Sequence, residues 1–285
     1  MPHSRLASPS ATVAVLKRHG LHTKKALGQH FLIDDNVIAR ILQLAQLAPD
    51  EAVLEIGPGI GTLTWALLDR GARVVAVEYD SRLFPVLHEI GEVHPGLTLV
   101  HADAVTVPIA RLAGPDGPLR ALVANLPYNV AATVVLRFLE EIPSLERAIV
   151  MVQSEVADRM AAVPGTGAYG AYTVKLGLRA RVSARFPVPR SCFLPPPRVD
   201  SAVIRIDRVR SAVAPEILRS AARAADAAFA QRRKTLRNSF AAGLGVAASE
   251  SERILRAAGI DPSRRAEELT SEEFVAIGME LQKPH

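Results

Sequence analysis

Short apolar runs alternate with segments of helical periodicity over the first half of the chain. The runs lie at residues 52–56, 73–78, 97–100, 121–124 and 148–152. Residues 34–47 begin with capping-type side chains and then repeat apolar residues at helical spacing, which predicts an amphipathic helix. Residues 63–67 predict another helix, and Gly71 stands where a left-handed helix end belongs. Strands that alternate with helices predict an open α/β sheet of mostly parallel strands.

From about residue 165 the pattern changes. The glycine-rich run 164–170 predicts a loop, and residues 172–179 and 201–206 predict two late strands, compatible with an antiparallel edge of the sheet. Three consecutive prolines at 195–197 predict a rigid extended link. Beyond residue 211 the chain is rich in Ala, Arg and Leu at helical spacing. We therefore predict a flexible basic arm (1–20), a Rossmann-like domain (21–208) and a small all-α domain (209–285).

Composition narrows the class of protein. Hydrophobic residues make up 49% of the 285 residues, which is enough for a sizeable core. The sole cysteine, Cys192, excludes an internal disulfide and favours a reducing compartment. No apolar run approaches the roughly 18 residues of a membrane span, and the N-terminus shows no secretory signal. We expect a cytoplasmic protein without a membrane association.

Basic residues concentrate in two zones of a chain whose net charge is +5. Residues 1–33 contain no acidic side chain, a pattern compatible with a basic arm or with an organelle transit peptide. Between Arg208 and Arg237 there are eight Lys and Arg but only two acidic residues. Charge alone indicates a polyanionic partner and a solvated helix face equally well.

The segment G57-P-G-I-G61 lies between a predicted strand and a predicted helix. Its glycines allow close approach to a ligand, and the helix N-terminus offers free N–H groups. Glu78 ends the next strand, where a carboxylate meets ribose hydroxyls, and Asp103 follows the third, where it can accept an adenine amine. Glu55 can contact the ligand or satisfy backbone donors of the loop. The spacing differs from the dinucleotide fingerprint and resembles S-adenosylmethionine-dependent methyltransferases.

The fourth strand ends in N125-L-P-Y128. A side-chain amide and a carbonyl that both accept from an amine would turn its nitrogen lone pair toward a methyl donor, so that alignment and electrostatics replace a strong base. Pro127 would aim the Leu126 carbonyl, and Tyr128 would stack on a base. Standing alone, the segment indicates only a turn with Asn125 as a helix cap.

Several motifs occur in the order found in one family. They are K25-A-L-G-Q-H-F-L-I33, N125-L-P-Y-N-V130, E155-V-A-D-R-M-A-A-V-P-G-T-G-A-Y-G170, F193-L-P-P-P-R-V-D-S-A-V203, F229-A-Q-R-R-K-T-L-R-N238 and G259-I-D-P-S-R-R-A-E-E-L-T-S-E-E-F274. From about residue 20 to 280 the chain resembles the KsgA/RsmA family of ribosomal RNA adenine dimethyltransferases. His30 stands where that family often has Asn, which changes the expected cofactor contact there.

The resemblance implies N6,N6-dimethylation of two adjacent adenosines in a hairpin near the 3′ end of small-subunit (16S) rRNA, with S-adenosylmethionine as cofactor and no metal. It implies a monomer that acts on rRNA or a pre-30S particle during small-subunit biogenesis.

The expected cofactor contacts are His30, Leu32, Gly57, Gly59, Glu78, Asp103 and Asn125. The expected catalytic group is Asn125, Leu126, Tyr128 and Phe193, with the last two stacking on the target adenine, although Phe193 is also compatible with ordinary packing. The expected RNA contacts are Lys24, Lys25, Arg232, Arg233, Lys234 and Arg237. Cys192 has no His or Asp constellation that would make it a nucleophile.

Three alternative functions can be weighed against this one from the sequence. An Erm-type methyltransferase of large-subunit rRNA shares the loop and the fourth-strand chemistry, but the segments 229–238 and 259–262 favour the small-subunit family. A second alternative is a ribosome-assembly factor with secondary or lost catalysis; the intact Glu78, Asp103 and Asn125 argue against lost activity, though not against an added assembly role. A nicotinamide dehydrogenase is disfavoured by the loop spacing.

Overall fold

A computed structural model describes residues 2–22, 29–113 and 117–283. Its strands are β1 (Phe31–Leu32), β2 (Ala52–Ile56), β3 (Arg73–Glu78), β4 (Leu97–His101), β5 (Ala121–Asn125), β6 (Arg147–Gln153), β7 (Ala180–Val188), β8 (Phe193–Leu194) and β9 (Ser201–Arg208). Its α-helices are α1 (Pro9–Arg18), α2 (Asp35–Ala45), α3 (Thr62–Asp69), α4 (Phe84–Val93), α5 (Ala131–Glu141), α6 (Ser154–Met160), α7 (Ala171–Gly177), α8 (Pro215–Ala228), α9 (Leu236–Leu244), α10 (Ala248–Ala257) and α11 (Ser271–Glu280). Among the described helices none is long and apolar enough to cross a membrane.

The main sheet has the strand order β4-β3-β2-β5-β6-β9-β7. The pairs from β4 through to β6 are parallel, and β6 pairs with β9 in antiparallel orientation. β2 is buried at every position because helices cover a parallel sheet on both faces. The predicted α/β class with a mostly parallel sheet and an antiparallel edge is confirmed. The carboxyl ends of β4, β3, β2 and β5 lie side by side, where ligands bind in open α/β sheets.

The chain divides into two compact units. The first comprises Met1–Ala157 and Val182–Arg208, and the second comprises Asp158–Arg181 and Val209–His285. Residues 158–181 group with the C-terminal helices instead of with the Rossmann-like domain, a difference that the sequence pattern did not predict. The first unit also contains a small antiparallel sheet, in which β1 pairs with β8.

The N-terminal residues 2–22 differ from the flexible arm that the sequence predicts. The Ser8 hydroxyl caps α1, and Ala7 and Leu21 are buried in the core of the first unit. Asp35 at the start of α2 accepts backbone N–H groups from His3 (3.0 Å) and Ser4 (2.9 Å). The segment is therefore folded onto its own unit.

The strand predicted over 172–179 is wrong. The structure has α7 there, and the edge strand β7 begins only at Ala180. The apolar residues alternate along this segment, which is why it resembles a strand. Val174 and Leu178, four residues apart, instead lie together in the core of the second unit. Packing against that core outweighs the strand propensity.

The second unit is a helical cluster with its own core. Leu236, Phe240, Leu269 and Phe274 are fully buried there. The alanine-rich face of α8 allows close packing, since a Cβ on Gly278 of α11 would lie only 2.7 Å from the Ala221 nitrogen. A capping box between Thr270 and Glu273 fixes the start of α11.

Candidate functional site

A cavity of about 250 Å³ opens at the carboxyl ends of the parallel strands. Its lining includes loop residues that follow β2, β3, β4 and β5, together with residues 29–32 from the segment before α2. All but one of the predicted cofactor and catalytic residues line it; they are His30, Leu32, Gly57, Gly59, Glu78, Asp103, Asn125, Leu126 and Tyr128. Residues far apart in the sequence thus form one site.

The glycine loop makes room for this cavity by close backbone packing. Gly57 and Gly59 have φ values of +67° and +61°, a region that favours glycine. A Cβ on Gly57 would lie 3.3 Å from Pro127 Cδ, and one on Gly59 would lie 3.2 Å from Phe31 Cε1. The loop therefore fits only with hydrogen at both positions, and it leads directly into the N-terminus of α3.

Glu78 is held at the end of β3 by three backbone N–H groups. Its Oε1 accepts from Tyr79 (2.9 Å) and Asp80 (2.8 Å), and its Oε2 accepts from Gly59 (3.2 Å). Burial raises the pKa of Glu78, and these hydrogen bonds oppose the rise. A carboxylate has about four acceptor positions, so Oε2 keeps one for a ligand hydroxyl.

Glu55 is the most deeply buried carboxyl group of the cavity lining. Its side chain is 1% exposed, and Oε2 has no hydrogen-bond partner among the described residues. Burial raises the pKa of Glu55 to about 8, against its ordinary value of 4.5. The side chain does not satisfy the donors of the glycine loop, which was one of the two interpretations of its role. A buried polar atom without a partner fits a donor from a ligand.

Asp103 lies in the loop that follows β4. Its side chain is exposed and lines the cavity. Its Oδ1 accepts the Val105 N–H at 2.8 Å, which fixes the carboxylate in the turn. The backbone carbonyl of Asp103 accepts from Thr106 and Val107. The second carboxylate oxygen accepts no hydrogen bond from the described residues.

Asn125 and Leu126 present two acceptors at the end of β5. The Asn125 Nδ2 donates to the His30 carbonyl at 3.3 Å, and because a carbonyl can only accept, the amide is oriented with Oδ1 free of that contact. The Leu126 N–H donates to Met151 O at 3.1 Å, whereas its carbonyl accepts no backbone hydrogen bond from the described residues. The Leu126 side chain is buried.

Tyr128 packs beside His30 at the cavity. The two rings are stacked with centroids 5.9 Å apart. The Tyr128 hydroxyl and the Ser201 Oγ are hydrogen-bonded at 2.7 Å, and burial raises the pKa of Tyr128. The His30 Nδ1 lies 2.8 Å from the Pro195 carbonyl, and because a carbonyl can only accept, this nitrogen is the donor. His30 therefore connects Asn125, Tyr128 and Pro195.

Phe193 lies in the core and not in the cavity lining. It is 2% exposed, and its backbone in β8 pairs with Leu32 in β1. The structure thus places it as ordinary packing, the interpretation left open beside a stacking role. Its contribution is to hold β1, and with it Leu32, in the cavity wall.

Tyr79 is a cavity residue that sequence reasoning missed. It lines the cavity and is 63% exposed, which is unusual for so large an apolar ring. The sequence feature that could have identified it is its position directly after Glu78. Next to it, Asp80 is held by Arg82 and by Gln29 (2.9 Å), and the Arg82 guanidinium lowers the pKa of Asp80 to about 2.

Four of the predicted RNA-binding residues belong to the second unit. Arg232, Arg233 and Lys234 are exposed in the turn between α8 and α9, not on a helix, because α8 ends at Ala228. Arg232 donates to the Gly167 carbonyl and lies 3.8 Å from Glu267, and Arg237 lies 3.3 Å from Glu252. Arg233 and Lys234 have no ion pair with the residues that the structure describes. Lys24 and Lys25 lie outside the described residues.

The described residues show neither a reactive cysteine nor a metal-binding group. The buried Cys192 thiol donates to Asp34 Oδ2 at 3.5 Å, and burial raises its pKa to about 11, which disfavours the thiolate. Within the described part of the chain, no group of three or more His, Cys, Asp or Glu side chains could hold a metal ion.

Residues 20–283 match the family model described as ribosomal RNA adenine dimethylase. The chain belongs to this family. A curated relative, the ribosomal RNA small subunit methyltransferase A of Streptomyces griseus, is 47% identical over 264 residues, which covers 90% of this chain and 89% of the relative. The resemblance found in the sequence motifs is thereby confirmed, and the protein is an S-adenosylmethionine-dependent methyltransferase.

Solved structures agree on the fold. A dimethyladenosine transferase from Plasmodium falciparum superposes with a TM-score of 0.71 at 22% identity, covering 87% of this chain and 96% of that one. The 23S rRNA methyltransferase ErmE superposes with a TM-score of 0.63 at 29% identity, covering 89% and 100%. In sequence identity, the chain is more similar to the small-subunit methyltransferase of Streptomyces griseus (47%) than to ErmE (29%).

Proposed function

We propose that the protein transfers methyl groups from S-adenosylmethionine to N6 of two adjacent adenosines in a hairpin near the 3′ end of small-subunit (16S) rRNA, giving N6,N6-dimethyladenosine. One observation carries the proposal: Asn125 Oδ1 and the Leu126 carbonyl are two acceptors at the same cavity as the glycine loop and Glu78.

The cavity residues fit the cofactor. The remaining acceptor position of Glu78 would take a ribose hydroxyl, and Asp103 would accept from the adenine amine. Tyr79 offers an exposed face on which the adenine would stack. Glu55, whose Oε2 lacks a partner, would accept from the amino-acid end, and Leu32 and His30 would border the cofactor from the other side. When bound, the cofactor supplies a methyl group on a positively charged sulfur.

The chain's own residues would then align the amine. The Asn125 oxygen and the Leu126 carbonyl would accept the two N6 hydrogens, which turns the nitrogen lone pair out of the ring plane. The positive charge that would develop on N6 as it accepts the methyl group would face two carbonyl dipoles. The methylated nitrogen is acidic and releases its proton to water, so no strong base is needed. Tyr128 would support the flat face of the target base.

The second unit would bind the RNA backbone. Arg233 and Lys234 lie in an exposed turn and would contact phosphates, which increase affinity without reading sequence. A target adenine has to leave its stack to reach the cavity, so an unpaired segment is the natural substrate. We also propose that the protein acts as a cytoplasmic monomer on a pre-30S particle, with a role in small-subunit biogenesis, and that Lys24 and Lys25 add RNA contacts.

Labelled S-adenosylmethionine and small-subunit particles that lack the modification test the proposal. The label is expected on N6 of two adjacent adenosines near the 3′ end of the small-subunit rRNA. Large-subunit particles, incubated in parallel, test the Erm-type alternative, and label found only there would contradict the proposal.

A further inference from the structure

The loop between β8 and β9, residues 195–200, is fastened to the cavity at both ends. We call it the rim loop. At its start the Pro195 carbonyl lies 2.8 Å from His30 Nδ1, and immediately after its end Ser201 Oγ lies 2.7 Å from the Tyr128 hydroxyl. His30 and Tyr128 both line the cavity. The rim loop and the residue that follows it are therefore hydrogen-bonded to two residues of the cavity lining.

Strand order places the rim loop at the reacting end of the cavity. Ser201 pairs with Gln153 at the end of β6, and β6 neighbours β5, which ends at Asn125. β3 and β4, which carry Glu78 and lead to Asp103, lie on the opposite side of β2. The rim loop thus borders Asn125 and Tyr128, where the target base would enter, and not the side expected to hold the cofactor's adenosine.

The exposed tip of the rim loop combines a cation with an apolar side chain. Arg198 is exposed and has no hydrogen bond or ion pair with the residues that the structure describes. Val199 is 46% exposed. Asp200 anchors the loop, since its Oδ1 accepts the Arg190 N–H at 2.9 Å and its carbonyl accepts the Ser154 N–H at 3.0 Å.

We infer that the rim loop binds the RNA strand next to the target adenosine, with Arg198 on a flanking phosphate and Val199 against the neighbouring base. A base that leaves its stack exposes the apolar face of its neighbour, and proteins cover such faces with apolar side chains. The phosphates that flank an extruded nucleotide stay at the mouth of the cavity. Arg198, which has no ion pair with the described residues, is a cation that such a phosphate can contact. This inference rests on the proposed function.

Equilibrium binding of a hairpin RNA with two adjacent unpaired adenosines, measured at several salt concentrations, tests Arg198. The variant Arg198→Ala is expected to weaken binding about five- to tenfold and to reduce the slope of log affinity against log salt by about one. Arg198→Lys should retain the slope. The matched control is Arg70→Ala, because Arg70 is exposed at the C-terminal end of α3, away from the cavity. A slope for Arg198→Ala equal to that of the wild type would overturn the phosphate contact.

Single-turnover methylation tests Val199 separately. Val199→Ala is expected to lower the rate about three- to tenfold on the hairpin, where a base has to unstack, and to leave an unstructured adenosine-containing strand unaffected. Equal losses on both RNAs would overturn the contact with the neighbouring base. The proposed function fails separately: if the wild type transfers no methyl group to either RNA or to small-subunit particles, the binding measurements still decide whether the rim loop contacts RNA.

Discussion

Gly57 of the glycine loop and Pro127 of the Asn-Leu-Pro-Tyr segment lie so close that a Cβ on Gly57 would be 3.3 Å from Pro127 Cδ. This contact couples the expected cofactor loop to the residue that orients the Leu126 carbonyl. We predict that Gly57→Ala weakens S-adenosylmethionine binding at least about tenfold and lowers the methylation rate further, because the left-handed backbone is strained and Pro127 has to move. Isothermal titration and single-turnover assays measure the two effects.

Gly71 provides the matched control for that substitution. It has φ +78°, and a Cβ there would meet nothing within 4 Å. Gly71→Ala should therefore lower the free energy of unfolding by about 1–2 kcal/mol while leaving cofactor binding unchanged. Similar binding losses in both variants would show that strain alone, and not the Pro127 contact, governs the site.

The raised pKa of Glu55 predicts that the free energy of unfolding depends on pH. Because burial raises its pKa from 4.5 to about 8, the folded protein holds a proton that the unfolded chain releases between those values. The contribution of Glu55 to stability is therefore present below pH 4.5 and is lost as the pH rises toward 8, with a slope of about 1.4 kcal/mol per pH unit. Urea unfolding of the wild type and of Glu55→Gln from pH 5 to 8 isolates this contribution. Parallel stability curves for the two proteins would contradict the prediction.

Substitutions of Asn125 distinguish the alignment of the target amine from the binding of the cofactor. Asn125→Ala removes one of the two proposed acceptors, and we expect kcat to fall about 100-fold or more while cofactor affinity changes only a few-fold. Asn125→Asp keeps acceptors but loses the donor to the His30 carbonyl, which would place two acceptors in contact, and should be as inactive. Near-wild-type single-turnover methylation by either variant would reject the role of the amide.

Tyr128 separates stacking from hydrogen bonding. Tyr128→Ala should impair methylation severely, whereas Tyr128→Phe should retain much of the rate because its ring remains. The Phe variant loses the hydrogen bond to the buried Ser201, so its free energy of unfolding should fall by about 1–2 kcal/mol. Ser201→Ala in the Phe background should recover part of this loss. Equal loss of activity in both Tyr128 variants would indicate a role for the hydroxyl.

The turn between α8 and α9 predicts unequal roles for its cations. Arg233 and Lys234 have no ion pairs among the described residues, whereas Arg232 and Arg237 contact Glu267 and Glu252. The double variant Arg233→Ala/Lys234→Ala should therefore reduce the salt slope of RNA binding by about two, and Arg232→Ala/Arg237→Ala by less. Arg219→Ala/Arg223→Ala, on an exposed part of α8, controls for net charge. Identical slopes in all three double variants would point to general charge and not to this turn.

Local pattern was sufficient to predict the central parallel strands because β2 and β5 are continuous apolar runs, and parallel strands are buried on both faces. The residues that follow these strands could be assigned to one edge, since the carboxyl ends of parallel strands meet there. Glu78 and Asn125 are examples, and both line the cavity.

Long-range packing limited the remaining predictions. Residues 172–179 alternate like a strand, yet the core of the second unit selects a helix there. Phe193 stands in a family motif, but only its pairing with Leu32 shows that its ring is buried. Glu55 could not be interpreted from the sequence, because its unusual proton affinity depends on complete burial without a partner for Oε2.

The pairing of β1 with β8 has a consequence for synthesis of the protein. A nascent chain that ends before Phe193 already contains Gly57, Glu78, Asp103 and Asn125, but it lacks the strand with which Phe31 and Leu32 pair. The wall of the cavity formed by residues 29–32 is then without its partner. Cofactor capture is thus expected only after about two thirds of the chain has left the ribosome, which makes S-adenosylmethionine binding a late marker of folding.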